Sequence, residues 1–458
     1  MIAGRRRYLA AVVCVVTVLV TWLLWPAPRP SVLLISIDSL RPDYLACYGG
    51  GHKPTPHIDA LAAAGVTFTQ AIADVPWERA SMASVLTGQY ASTHRVRSLF
   101  DRLPDTNATA AAAFAAAGYR TAAVVSDFDL DHIFRLDQGF QTYDDRYSAP
   151  LRRTLDERPV HRASIFYGDL SQDRSFRRHK LEADSLRDDA GVTDAAIGWL
   201  RHVGAQPFFL WVHYFGPHPQ PQPDDNVAWV LAEYQVAVRR VDGEIGRLLG
   251  MLNEMQLDRN TIIVLHAGRG TSLLERGDFA PGGDLYDTTL RVPLIIYWRG
   301  RIPAGTREGA MVRLIDILPT LTELSGVAPL PTVDGRSLVG LLRGTQRDES
   351  PDAYSETYLP ATAVASQSAR RPDGSLVRFG FVERGLRTPR WKYLRSDPSR
   401  LIDVRASDPT AEPPGTVFEE LYDLLQDPGE KDNLISRDPA TAAMLRDALE
   451  RSTERRTP

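Results

Sequence analysis

Apolar runs rich in β-branched residues alternate along this chain with stretches whose apolar positions recur at helical spacing. That alternation predicts an α/β fold, a large mostly parallel sheet sandwiched by helices. Strands are expected at 31–38 (SVLLISID), 66–73, 119–127, 208–215, 261–270 (TIIVLHAGRG) and 291–298. Between them, Thr55 and Pro56 form a capped helix start whose helix stops at Gly65. Further helices are expected at 80–88, 105–117, 193–202, 232–253 and 312–327, the last amphipathic. No internal repeat is visible. After about Arg343 the composition shifts to Asp, Ser and Pro, followed by shorter, antiparallel-looking strands (VRFGFVERGL, RWKYLRS) and a terminal helix from about Pro439. Three regions follow: an N-terminal tip and apolar segment (1–29), a large α/β domain (30–345) and a small C-terminal α+β subdomain (346–458). The charged, weakly periodic stretch 143–189 reads as an insertion loop.

Composition narrows the classes. With 458 residues and 43% apolar content the chain can bury a large core. A formal net charge of −4 with scattered basic residues gives no footprint for nucleic acid. The two cysteines, Cys14 and Cys47, make no disulfide framework and no zinc site, so any metal would be held by oxygen or imidazole ligands, as suits calcium or magnesium.

The N-terminus reads MIAGRRRY, then an uncharged run at 9–25, then PAPRP. At about 1.5 Å per residue the run reaches roughly 25 Å, near the lower limit of a bilayer span. A signal anchor is expected, with the arginines cytoplasmic and the globular part extracytoplasmic. A cleaved signal peptide is the other reading, and Arg5, Arg6 and Arg7 favour a twin-arginine one.

Several ordered segments resemble the sulfatase family of the alkaline phosphatase superfamily: SVLLISIDSLRPDYLACYG, PHIDALAAAGVTFTQAIA, FFLWVHYFGPH, DLYDTTLRVPLIIY, and the closing WKYLR and LYDLLQDPGEKDNL. The resemblance implies a sulfuric-ester hydrolase fold. Such esters carry negative charge, so a cation must neutralise them, and a nucleophile must stand at a helix N-terminus beside it. By the same resemblance, the metal is held where two strands end and the nucleophile is a formylglycine made from Cys or Ser.

Set against that pattern, this chain is degenerate. Asp38 keeps the first ligand position and Ser39 follows it. Gly268 and Arg269 stand at the other ligand positions, where a glycine offers no donor and a guanidinium cannot ligate. The resemblance puts Glu78 at the nucleophile position, without a hydroxyl or thiol. Ser81, one turn on, is a replacement candidate, and His266, two residues before Gly268, is a replacement ligand candidate. His218 and Arg41 match recurrent pocket positions, as does His94; Arg276 stands where a histidine is common and Gly216 where Asp is frequent, while Asp287 reads as structural. An arginine paired with Asp38 or Glu78 would replace a metal–carboxylate cluster by an ion-pair cluster. The expectation is a membrane-anchored protein without hydrolytic activity and without a cofactor, binding an anionic ester or a protein partner. The alternative is an ester hydrolase or phospho-group transferase with an altered site, retaining calcium or magnesium.

Overall fold

The computed structural model describes residues 29–50, 55–97, 101–146, 187–218, 227–273, 275, 283–346, 352–359, 369–370, 376–377, 380–399 and 417–454. The run at 9–25, Arg276 and most of the 143–189 insertion lie outside them. Among the described residues no helix is long and apolar enough to cross a membrane, and Cys47 is a free thiol.

An eight-stranded sheet forms the centre. Its strands are β1 (Ser31–Ile37), β2 (Val66–Ile72), β3 (Arg120–Val124), β4 (Thr142–Asp144), β5 (Phe208–Tyr214), β6 (Thr261–Ala267), β7 (Arg291–Trp298) and β8 (Thr306–Arg313). The order is β4-β3-β5-β1-β6-β7-β2-β8, and β7 alone runs against its neighbours. Strands β1, β5 and β6 are buried along their whole length. That explains their continuous apolar sequence, since strands covered on both faces need no alternation.

The helices that matter for the site are α1 (Pro56–Ala64), α2 (Glu78–Thr87), α3 (Ala110–Ala116), α4 (Asp189–Val203), α5 (Val227–Glu254) and α6 (Ile317–Ser325). Helix α4 starts earlier than its apolar pattern indicates because the Asp188 side chain caps it, accepting from the Gly191 N–H at 2.8 Å. The stretch 312–327, expected as one amphipathic helix, is divided. β8 runs to Arg313, and Asp316 then accepts from the Arg313 N–H at 2.9 Å and pairs with its guanidinium at 2.7 Å. This box ends the strand, and the helix begins only at Ile317.

A four-stranded antiparallel sheet follows, of β9 (Ala353–Leu359), β10 (Gly380–Arg387), β11 (Trp391–Ser399) and β12 (Phe418–Asp423), in the order β12-β11-β10-β9. The terminal helix α7 (Pro439–Glu454) packs on it through Ala442, Leu445 and Leu449.

Candidate functional site

Parallel pairing of β1 with β5 and β6 brings their C-terminal ends together, the usual place for a site in an open α/β sheet. Asp38 follows β1 and is held to β5 by its N–H, which donates to the Tyr214 carbonyl at 3.0 Å. The chain then turns at Ser39 through φ 59°, a left-handed conformation uncommon for serine. Tyr234 of α5 fixes that turn: its hydroxyl donates to the Ser39 carbonyl at 2.6 Å and accepts from the Arg41 N–H at 2.9 Å. Gly216, at the end of β5, passes so near that a Cβ would stand 2.6 Å from Ile37 Cγ2 and 2.8 Å from the Asp38 carbonyl oxygen. No aspartate fits there.

Around Asp38 every acceptor position is used. Oδ1 accepts from Arg269 Nε at 3.0 Å and from Ser39 Oγ at 3.1 Å. Oδ2 accepts from Arg269 Nη2 at 3.1 Å and lies 3.0 Å from His218 Nε2. A carboxylate has about four lone-pair sites, so this one is saturated by two-pronged guanidinium contact, a hydroxyl and an imidazole. Burial pushes the Asp38 carboxyl up, but Arg269 and then His218 outweigh it and hold the group well below the usual carboxylate range.

Glu78 opens α2 and reaches the same place from the other side. Its carboxyl is buried beside Asp38 and stands where a Gly268 side chain would be. A Cβ on Gly268 would meet Glu78 Oε1 and Oε2, each at 2.4 Å. The Glu78 carboxyl therefore fills the space vacated by the missing side chain at the end of β6. Burial first, and the charge on Asp38 second, hold it well above its usual value. The two carboxyls are thus pushed in opposite directions, Glu78 toward its protonated form and Asp38 toward its ionised one.

The other residues singled out in the sequence stand nearby in different company. The Ser81 hydroxyl, fully buried, donates to the Gly268 carbonyl at 2.7 Å and ties α2 to the end of β6. Arg41 turns to Asp43 at 2.7 Å, to Glu275 and to the Thr271 carbonyl at 3.2 Å. His266 is fully buried, its Nδ1 3.0 Å from the Ala267 carbonyl, and burial pushes its value down to about 4. His94 is pinned between the Val96 N–H, which donates to Nδ1 at 3.0 Å, and Ser84 Oγ, 2.9 Å from Nε2. Burial pushes it down to about 3, so it is a neutral scaffold group.

Two residues that the sequence reading did not single out lie behind Glu78. His213 of β5 has Nδ1 3.6 Å from Glu78 Oε1 and Nε2 3.4 Å from Asp127 Oδ2. Ser36 Oγ, in register on β1, is 2.8 Å from His213 Nδ1. The signal for Asp127 was present, an acid closing the β3 segment YRTAAVVSD. For His213 it was the match in parity with the β1 residue that ends up beside it.

The donors at Asp38 do not fit a divalent metal. Calcium or magnesium needs six or more oxygen ligands, and Gly268 has no side chain to give, while its carbonyl accepts from Ser81. Arg269 occupies both Asp38 oxygens with a fixed positive charge. Among the described residues the one convergence of three ligand atoms from acidic or histidine side chains is Asp131, His132 and Asp145, on the segments after β3 and β4. There His132 Nδ1 lies 2.6 Å from Asp145 Oδ2, and the ring is largely exposed.

Comparison with known proteins places this arrangement in a family. The chain is 27% identical to mouse steryl-sulfatase over 502 aligned residues, covering 89% of this chain and 78% of that one. It is 26% identical to human arylsulfatase A, covering 89% and 84%. Among solved structures, a 2-O GAG sulfatase superposes with a TM-score of 0.69 at 22% identity, covering 93% of this chain and 92% of that chain. The phosphonate monoester hydrolase of Agrobacterium radiobacter also gives 0.69, at 21% identity, with 93% and 96% covered. Both share the fold of the eight-stranded sheet and the smaller antiparallel one. The sequence profile named Sulfatase matches residues 30–327, and with more than half of its length so matched this chain belongs to the sulfatase family.

Proposed function

We propose that this sulfatase-family protein does not hydrolyse esters but serves as a membrane-anchored, extracytoplasmic binding or regulatory protein. The observation that carries the reading is the bidentate contact of Arg269 with Asp38, made while Glu78 fills the space over Gly268. The guanidinium supplies a positive charge beside Asp38 without a metal. It cannot polarise a leaving group as a Lewis acid does, because it has no empty orbital, and Nε and Nη2 are turned to the Asp38 carboxylate.

The nucleophile is missing on independent grounds. A glutamate cannot be converted to formylglycine, and attack by its carboxylate would form a mixed anhydride. Buried, and with its carboxyl pushed toward the protonated form, Glu78 is also a poor nucleophile. Loss of nucleophile and of metal donors together is harder to compensate than loss of either. The apolar run at 9–25, flanked by three arginines, supports the anchor and the outward orientation.

A second reading, an ester hydrolase or phospho-group transferase with an altered site, draws on one contact: Ser39 Oγ lies 3.0 Å from His218 Nε2, the spacing of an activated hydroxyl. Ser39 is fully buried, however, and its hydroxyl also donates to Asp38, which favours the first reading. The purified full chain is assayed on an aryl sulfate, a phosphate monoester and a phosphonate monoester, with and without added calcium or magnesium. No turnover above that of the Asp38→Ala variant is expected. Turnover lost in Asp38→Ala or Ser39→Ala overturns the binding reading.

A further inference from the structure

The sheet has a second end, and it is not plain surface. Ile262 at the start of β6 pairs with Trp298 at the end of β7. At about 3.3 Å per residue, Trp298 is therefore roughly 20 Å from the strand ends that hold Asp38 and Arg269. A cavity of about 290 Å³ opens there, lined by Trp298, Arg301, Ile302, Leu324, Leu342 and Arg343. Ile302, Leu324 and Leu342 are buried and make an apolar wall. The indole Nε1 of Trp298 is buried and has no acceptor among the described residues. Arg301 and Arg343 are exposed, and among the described residues neither guanidinium pairs with a carboxylate. The polar side chains of this cavity are thus an indole N–H and two guanidiniums, donors without exception. They call for an anion with an apolar continuation.

The course of the chain indicates its source. Arg29 lies two residues before the start of β1, whose Ser31 pairs with Thr261, the neighbour of Ile262. The apolar run at 9–25 therefore joins the body at this same edge. Arg120 at the start of β3, Arg201 near the end of α4 and Arg259 before β6 are exposed around it. Among the described residues the acids at these element ends are fewer: Glu254, Glu323, and Asp258, which is engaged by Arg299 at 2.6 Å.

We propose that this edge docks on the anionic phospholipid surface of the membrane holding the N-terminal segment, with a lipid phosphate seated between Arg301, Arg343 and the Trp298 indole. The proposal rests on the anchor reading above and adds an orientation to it. Each arginine brought to an anionic leaflet strengthens attachment by about fivefold, and tryptophan favours the headgroup level. Docked in this way, the domain holds the Asp38 end of the sheet away from the bilayer.

The test places the full chain in nanodiscs of neutral phosphatidylcholine and in nanodiscs with about one third phosphatidylglycerol, following amide hydrogen exchange at 298–304 and 341–345. Exchange there should slow by about fivefold or more in the anionic discs, and revert in the Arg301→Glu/Arg343→Glu variant while β1 stays protected. Equal exchange in both discs, with the chain inserted, refutes the docking alone and leaves the face to a protein partner. Slowing reproduced in neutral discs by inorganic phosphate assigns the cavity to a soluble anion and overturns the lipid. A chain recovered outside the discs refutes the anchor, and the docking with it.

Discussion

Two buried ion clusters in this molecule use the same residue types to different ends. At the junction of the two sheets, Asp287 is held by Arg387 at 3.0 Å and by Lys392 at 2.8 Å, and Lys392 also meets Glu430 at 2.9 Å. Two acids face two cations there, and the cluster joins the large domain to the C-terminal sheet. At the ends of β1 and β6, Asp38 is held by a single guanidinium, that of Arg269, with His218 alongside, and the Glu78 carboxyl lies buried next to it. The junction sets two acids against two side-chain cations; the strand ends set one arginine against two carboxyls, of which Glu78 is pushed toward its protonated form. The contrast shows that Asp287, Arg387, Lys392 and Glu430 form a structural clasp, whereas the strand ends carry a carboxyl excess that a divalent cation would otherwise neutralise.

Breaking each cluster should expose the difference. Lys392→Met leaves two buried acids with one cation and should reach the upper end of the about 3–5 kcal/mol that breaking a buried pair costs, read in denaturant unfolding. Arg269→Met should fall toward the lower end of that range, about 3 kcal/mol, because proton uptake can discharge Asp38. Equal losses would remove the distinction between the two clusters.

Gly268→Ala should destabilise by about 1–3 kcal/mol, since its methyl would overlap the Glu78 carboxyl. In a Glu78→Ala background the same change should cost much less. Additive losses in the double variant would mean that Glu78 does not fill the space above Gly268.

A pH series sharpens the proton's part. Glu78 has a folded-state value raised above its ordinary 4.5, so its contribution is complete below about 4.5 and is lost as pH rises toward the folded value. Asp38 has the opposite sign: its contribution is present above its ordinary 3.8 and is lost as pH falls below it. Glu78→Gln should therefore flatten the decline in stability on the alkaline side and leave the acid limb in place. An unchanged alkaline slope in thermal unfolding contradicts a protonated Glu78.

The smallest effect belongs to Ser81. Its hydroxyl makes one buried hydrogen bond to the Gly268 carbonyl, so Ser81→Ala should cost about 1 kcal/mol. A change in ester turnover in that variant would restore Ser81 as a nucleophile.

Much of this was legible in the chain itself. Continuous apolar strands identify the centre of the sheet though not β4 and β8, and Arg269 at a strand end calls for Asp38 or Glu78 as its partner, because a buried guanidinium must find a carboxylate. Other features were hidden because they depend on depth and direction rather than residue type. Nothing in the spacing of Glu78 and Gly268 says that one side chain fills the other's place. His213 and Asp127 become neighbours of Glu78 only through the order of β3, β5 and β1. The stretch 312–327 misled because its helical periodicity continues across a strand end, and only the Arg313–Asp316 box marks the break.

The central claim, that Arg269 stands in the cation's place, is tested most directly by measuring thermal unfolding of the purified full chain against calcium and magnesium concentration, with metal content determined on the same sample. A divalent ion present at about one hundred times its dissociation constant would stabilise the fold by about 2.7 kcal/mol. The expected result is no bound divalent ion beside Asp38 and no shift in the unfolding midpoint. About one ion per chain, with a midpoint that rises with concentration and a rise abolished by Asp38→Ala, would contradict it.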